Sequence, residues 1–309
     1  MSGLFQSEHD TALHPEVSVI IPVRNGERTL ARAIDSALGQ RFERGFEVIV
    51  INDGSTDGSA DILRGYGDRI VAIRPQHQGL SAARNAGARI ARGEYLAFLD
   101  ADDEWMPEKL ARVVSALGER PECVLAYHDA REIGLDGRVQ RSSYYYKGYS
   151  PPSFEELRTP RGHENPILPS TVVIRREAFE RIGGFNEQLT ASEDIYMLIR
   201  ARECGPFAFV PEVLADREFG PSAGRETWYI DGARALDRAL AARYGSQAAG
   251  GFLFAALLWC AGAAYRRGDY KSAITRCLSA ICRNPIRAIP YIAVRLAARA
   301  ATTREVAQA

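Results

Sequence analysis

Short apolar runs alternating with helical spacings predict an α/β protein: a mostly parallel, Rossmann-like sheet flanked by helices, with a helical C-terminal extension. Two observations carry this. Four apolar runs of strand length recur within the first hundred residues, and the segments between them repeat at helical periods. Val17–Ile21, a continuous run closed by Pro22, suits a strand buried on both faces. Leu30, Ala33, Ile34, Ala37 and Leu38 then fall at i, i+3, i+4, i+7 and i+8, which gives the next helix one apolar face. Phe46–Ile51 is the second strand, closed by the turn-forming residues Asn52-Asp53-Gly54-Ser55. Ser59–Tyr66 reads as a short helix, Ile70–Ile73 as a strand, Leu80–Ala91 as a helix and Tyr95–Leu99 as the fourth strand. Right-handed β-α-β connections make these strands parallel.

Beyond Pro107 a helix over Glu108–Leu117 has proline in its first turn, and Cys123–Tyr127 is another strand. Arg131 to Pro169 is rich in Gly, Pro, Tyr and charge, and is expected to be a ligand-facing excursion with one hairpin. Thr171–Ile174 resumes as strand and Glu177–Ile182 as a helix ended by Gly183-Gly184. Ser192 is expected to cap a helix that opens with Glu193-Asp194 and turns Ile195, Leu198 and Ile199 inward. From Glu226 only helices follow, with Gly220, Pro221 and Gly224 at the join, so the expected domains are 1–225 and 226–309.

Composition excludes several classes. With 309 residues the chain can bury a full core, and 46% hydrophobic with 25% charged residues is ordinary for a globular protein. A formal net charge of +0 gives no basic surface for nucleic acid. Five cysteines, widely spaced and without a C-x-x-C pair, suit a reducing cytosol better than a zinc site or disulfide framework. Met1 to Glu16 is polar and lacks the apolar centre of a signal peptide. Gly250 to Tyr265, about sixteen residues, falls short of the roughly twenty that span a bilayer and reads as a buried helix. The expected location is the cytoplasm, with a peripheral position on the inner face of the cell membrane left open, and nothing here fixes an oligomeric state.

Ligands of open α/β sheets gather beyond the carboxyl ends of the strands, where Pro22–Asn25, Asn52–Asp57 and Asp100–Asp103 all fall. Asp100-Ala101-Asp102-Asp103 sets three carboxylates in four positions. Their mutual repulsion is relieved by a hard cation, Mn²⁺ or Mg²⁺, which takes oxygen ligands and shares them with phosphates.

Several segments, in order, resemble the family 2 glycosyltransferases of the GT-A fold. They are Val17–Asn25, Val50–Asp57, His77–Gly87, Arg92–Asp103, Ile182–Asn186 and Ser192-Glu193-Asp194, across roughly residues 16–205. The resemblance implies inverting transfer of a sugar from a nucleotide-diphosphate sugar, a UDP-sugar favoured, to the hydroxyl of a saccharide or lipid-linked acceptor. Cell-surface polysaccharide or glycolipid synthesis is the implied setting. Asp53 would bond the base and the backbone around Pro22, Arg24 and Asn25 would line its pocket. Asp100, with Ala101, would face the ribose, and Asp102 would hold the metal on the diphosphate. Arg84 would add charge to the leaving group, and Asp194, beside Glu193, would take the acceptor proton.

Each residue has a plainer reading. Glu193 and Asp194 suit a helix N-terminus, which would also lower a carboxylate pKa and weaken a base. Asp53 and Asp57 are ordinary turn formers, Arg84 sits in an already basic helix, and Trp105 suits packing beneath the metal loop. His77, His128 and the Tyr144–Tyr146 run carry no firm assignment. Asn52 stands where the family often has Asp, and Asp216-Arg217-Glu218-Phe219 lacks a histidine many relatives carry, leaving Glu218 as a substitute or no third ligand. A basic amphipathic stretch over Ile286–Ala300 suits either an anionic membrane surface or packing back onto the protein. A catalytically silent nucleotide-sugar-binding scaffold and a nucleotidyltransferase are the competing functions.

Overall fold

The computed structural model describes residues 14–76, 78–143, 150–158, 167–219, 226–246, 251–266 and 268–283. The chain divides into two compact units, residues 1–154 with 165–221 and residues 155–164 with 222–309.

Among the described residues the first unit carries a nine-stranded sheet. Its parallel half comprises β1 (Val17–Val23), β2 (Phe46–Asn52), β3 (Val71–Ile73) and β4 (Tyr95–Phe98), ordered β3-β2-β1-β4. Every residue of β1 and β4 is buried, as the unbroken apolar runs require of strands covered on both faces. The helices between them are α1 (Leu30–Leu38), α2 (Ser59–Tyr66) and α3 (Leu80–Ile90). Leu30, Ala33, Ile34 and Ala37 of α1 are buried at the expected spacing. Helix α3 lies so close to the sheet that a Cβ on Gly87 would stand 2.7 Å from both Ile20 and Ile51.

The remaining strands extend the sheet. A two-residue strand β5 (Glu104–Trp105) precedes α4 (Lys109–Gly118), β6 (Leu125–Gly134) follows, and β7 (Val139–Arg141) folds back on β6 as the expected hairpin. After α5 (Phe154–Arg158), Pro169–Thr171 forms a 3₁₀ turn and β8 (Val173–Arg175) lies antiparallel between β4 and β6. Helices α6 (Arg176–Ile182) and α7 (Glu193–Cys204) lead to β9 (Phe207–Phe219), thirteen residues long and parallel to β6.

β9 and the second half of β6 depart from the sequence reading. Pro211 and a run of charges masked β9, because proline donates no ladder hydrogen bond and normally marks an edge. The ladder accommodates it by slipping: His128 pairs with Val210 and Asp129 with Val213, leaving Pro211 and Glu212 out of register. The charges are cross-strand partners. Arg131 faces Asp216 with a 2.6 Å hydrogen bond, and Glu132 faces Arg217 at 3.4 Å. The expected excursion from Arg131 therefore begins as sheet.

Among the described residues the second unit holds α8 (Glu226–Tyr244), α9 (Gly251–Arg266) and α10 (Tyr270–Arg283), with residues 155–158 of α5. Buried Asp237 of α8 accepts the amides of Phe252 and Leu253 at 3.2 and 3.0 Å and so caps α9. Phe252–Leu258 of α9 are buried, as expected of an apolar helix in a protein core. Among the described residues no helix is long and apolar enough to cross a membrane. Residues 284–309, His77 and Tyr144–Tyr146 lie outside the described residues.

Candidate active site

The loops after β1, β2 and β4 converge on one cleft of about 460 Å³. Pro22, Arg24, Asn25, Asp53, Asp100, Ala101 and Asp102 all line it. Arg84, Glu193 and Asp194 are not on its walls but join it through Asp100. A larger groove of about 670 Å³, around Glu16, Arg92, Glu94 and Arg175, lies at the start of β1 and β4, away from these motifs. Its charges pair among themselves or with neighbours, as Arg92 does with Glu47 at 2.9 Å.

The first two loops are tied to each other. Asn25 adopts a left-handed backbone (φ 56°), which asparagine tolerates better than most residues. Its amide donates to Ser55 Oγ at 3.0 Å, and its side-chain oxygen accepts the Thr56 amide at 2.8 Å. Asp57 accepts the amides of Glu27 and Ser59 at 2.9 and 3.0 Å, and the Ser59 hydroxyl bond holds its carboxyl below the ordinary value. Asn52 accepts the Ser55 amide at 2.8 Å, a turn bond an aspartate could equally make. Asp53 is buried and accepts the amides of Gln78 and Gly79 at 3.1 and 3.2 Å. Its carboxylate thus joins the β2 end to the start of α3.

The three aspartates after β4 have separate surroundings. Asp100 accepts Arg84 Nη2 at 2.6 Å, and its amide donates to Ser170 Oγ at 3.1 Å. Asp103 turns inward, accepting the Ser170 hydroxyl at 2.5 Å and the Glu218 amide at 3.2 Å. Burial first, then Asp102 and Asp100, pushes its carboxyl well above the ordinary value. Asp102 is exposed toward the cleft. Partial loss of hydration there, then the charge of Asp100, raises its pKa as well. Trp105 packs under this loop, donating from Nε1 to the Ser170 carbonyl at 2.7 Å.

Among the described residues no three His, Cys, Asp or Glu side chains close round a metal. One outward carboxylate fits a hard cation that takes its other oxygens from a bound diphosphate, the usual arrangement for Mg²⁺ and Mn²⁺. Glu218, the sequence candidate for a further ligand, is instead held by Arg28 and Arg32 at 3.1 and 3.2 Å, and the Arg28 bond lowers its pKa. His128 is fully buried beside Lys109, and burial followed by that positive charge brings its pKa down to about 3. It is a core residue.

Arg84 departs from the plainer sequence reading. It is neither a solvated helix residue nor a group on the cleft wall: it is 1% exposed and bridges Asp100 and Glu193, the latter at 2.9 Å. Ser192 also departs from expectation. It adopts φ 60° and makes no capping bond through its side chain. The Asp194 carboxylate accepts the Ile195 amide at 2.8 Å. That bond and Arg84 favour ionisation of Asp194. Burial and the adjacent Glu193 outweigh them, raising its pKa from 3.8 to about 7.

Helix α3 also clamps the loop before α7. Asn85 donates to the Phe185 carbonyl and accepts the Phe185 amide, both at 2.9 Å, and Ser81 donates to the Leu189 carbonyl at 3.4 Å. Gly184 sits at φ 73°, and a Cβ there would lie 2.6 Å from Asn85 Oδ1. Sequence reasoning assigned no role to Asn85 or Ser170, the two polar anchors of the site. The adjacent motif residues Arg84 and Asp100 were the signal that could have found them.

The glycosyl transferase family 2 profile matches residues 18–183. The chain belongs to this family. An uncharacterized glycosyltransferase of Rickettsia typhi is 32% identical over 203 residues, 65% of this chain and 63% of that protein. The chain thus spans less than two thirds of that relative's length. The fold matches S. aureus TarS 1-349 in complex with UDP-GlcNAc, with TM-score 0.63 and 19% identity over 88% of this chain and 82% of that one. It also matches the mannosyltransferase PcManGT of Pyrobaculum calidifontis, in complex with GDP-Man and Mn²⁺, with TM-score 0.57 and 20% identity over 93% and 81% of the chains. The GT-A type of mixed sheet expected from the sequence is the fold found.

Proposed function

We propose that this chain is an inverting glycosyltransferase moving a sugar from a nucleotide-diphosphate sugar, a UDP-sugar favoured, to an acceptor hydroxyl. The observation that carries the reading is the cleft itself: the motif residues of three strand ends face one cavity, and a carboxyl with a pKa of about 7 is linked to its wall. A general base works best with a pKa near the operating pH. In this reading Asp53, Pro22, Arg24 and Asn25 hold the nucleoside, Asp100 and Ala101 face the ribose, and Asp194 takes the acceptor proton. Glu193 keeps the base raised, and Arg84 holds Asp100 and Glu193 in place. Asp102 would hold Mn²⁺ or Mg²⁺, which when bound supplies Lewis-acid stabilisation of the departing diphosphate.

Residues 1–225 would carry this chemistry and 226–309 would be the helical extension. The acceptor is a saccharide or lipid-linked saccharide of cell-surface polysaccharide or glycolipid synthesis, and the protein is cytoplasmic. The family relationship supports the transferase class, and the neighbours solved with UDP-GlcNAc and GDP-Man support a nucleotide-sugar donor.

Donor hydrolysis with Mn²⁺, across UDP- and GDP-sugars, tests the reading. Asp102→Asn is expected to lose turnover together with the Mn²⁺ dependence of nucleotide binding. Asp194→Asn is expected to lose turnover by about 10²–10⁴ while still binding nucleotide. Unchanged turnover in both variants would make the chain a binding scaffold. Release of pyrophosphate from a nucleoside triphosphate would make it a nucleotidyltransferase.

A further inference from the structure

Arg84 lies between the two halves of the site, and this position has consequences for catalysis. It is fully enclosed, its guanidinium faces the Phe185 ring at 5.1 Å, and one Nη goes to each of two carboxylates. Asp100 belongs to the cleft wall, while Glu193 opens the helix that carries Asp194. On this basis we infer that Arg84 is a positioning residue, holding the donor-site carboxylate and the helix of the base together as one ion triad centred on a buried guanidinium. It does not act as a ligand of the diphosphate. The inference rests on the glycosyltransferase reading and deepens it.

Two further observations support the role. The groups facing Asp194 are Glu193 from its own helix, Arg84 from α3 and Asp100 from the end of β4. Three acids thus share one cation, and burial with the neighbouring Glu193 charge raises the Asp194 carboxyl among them. Helix α3 also holds both sides mechanically. Its start is fixed by Asp53 through Gln78 and Gly79, and its middle is fixed to Phe185 through Asn85. Arg84 adds the charged link between these neutral ones. A planar fork reaches two carboxylates in a fixed geometry, which a lysine ammonium does not reproduce.

The test compares Arg84→Met, Arg84→Lys and Glu193→Gln with wild type. It reads UDP and uridine affinity by calorimetry with Mn²⁺, and the pH profile of kcat/KM for donor hydrolysis. Removing the cation raises the base, so the acid limb for Arg84→Met moves up by about one pH unit. Removing the like charge lowers it, so the limb for Glu193→Gln moves down by about one unit. Arg84→Lys retains charge without the fork and is expected to lose at least about tenfold in kcat, with UDP affinity within about threefold. General structural damage does not move the limb in opposite directions. Should Arg84→Met fail to fold, the downward shift of Glu193→Gln and the kcat loss of Arg84→Lys decide the matter. Limbs that stay with wild type overturn the positioning role, and a tenfold or greater loss of UDP affinity in Arg84→Lys with uridine affinity unchanged assigns Arg84 to the phosphates instead. A wild-type chain that neither binds UDP nor hydrolyses any nucleotide sugar fails at the functional reading and takes this inference with it.

Discussion

Replacing the proposed base with its neutral isostere should make the protein more stable at pH 8 while lowering turnover by about 10²–10⁴. Asp194 has its pKa raised from 3.8 to about 7 in the folded chain. The folded state therefore binds more protons than the unfolded state between about pH 4 and 7, and stability falls as pH rises through that window. Above pH 7 the ionised carboxylate costs up to about 4 kcal/mol. An asparagine side chain has the same shape and no charge, so Asp194→Asn removes this cost. The assay is thermal melting of wild type and variant at pH 8 and pH 4. At pH 8 the variant should melt roughly 5–10 °C above wild type, and at pH 4, where wild-type Asp194 is already neutral, the two should converge. Asp102 and Asp103 also titrate abnormally, but they are present in both proteins and cancel in the difference. A variant no more stable at pH 8 than wild type, or a gap that does not close at pH 4, would refute the buried, proton-holding account of Asp194.

Three further substitutions probe the scaffold. Asn85→Ala strands both the amide and the carbonyl of Phe185, and should lower stability by about 1–3 kcal/mol for each buried group left unpaired, read by urea denaturation. Gly87→Val puts a branched side chain where even a Cβ would meet Ile20 and Ile51 at 2.7 Å, so a loss of about 1–3 kcal/mol or more is expected by the same measurement. Ser170→Ala removes a hydroxyl that joins the Asp100 amide to the Asp103 carboxylate, and should weaken Mn²⁺-dependent UDP binding in calorimetry along with about 1–3 kcal/mol of stability. An unaltered melting curve and UDP isotherm for Ser170→Ala would mean that the aspartate loop is held by its backbone alone.

Much of this architecture was legible in the sequence because local chemistry and tertiary setting agree. β1, β2 and β4 are largely apolar runs, and the sheet buries nearly all of their residues. The loop residues after them follow from the same logic, since the ends of parallel strands must meet on one edge. The failures occur where partners are remote. Arg131 and Asp216 look like surface charges until β6 and β9 are laid side by side, and then each neutralises the other. Ser192 looks like a cap by residue type, but its left-handed backbone takes its side chain out of that role.

Arg84 shows why charge is harder to read than apolarity. An apolar residue must be buried somewhere, and its spacing says on which face. A charged residue in a helix can be solvated, can bind a ligand or can be buried, and the choice depends on acids that lie 16 and 109 positions away in sequence. Burying a guanidinium is costly unless its donors are matched by anions. Asp100 and Glu193 provide that match, and it fixes their own positions in turn. Loss of Arg84 would leave two carboxylates facing each other, with Asp194 beside them. The acid-rich pattern around Asp100 thus has two distinct settings: Asp102 faces outward into the cleft, while Asp100 answers a cation built into the chain.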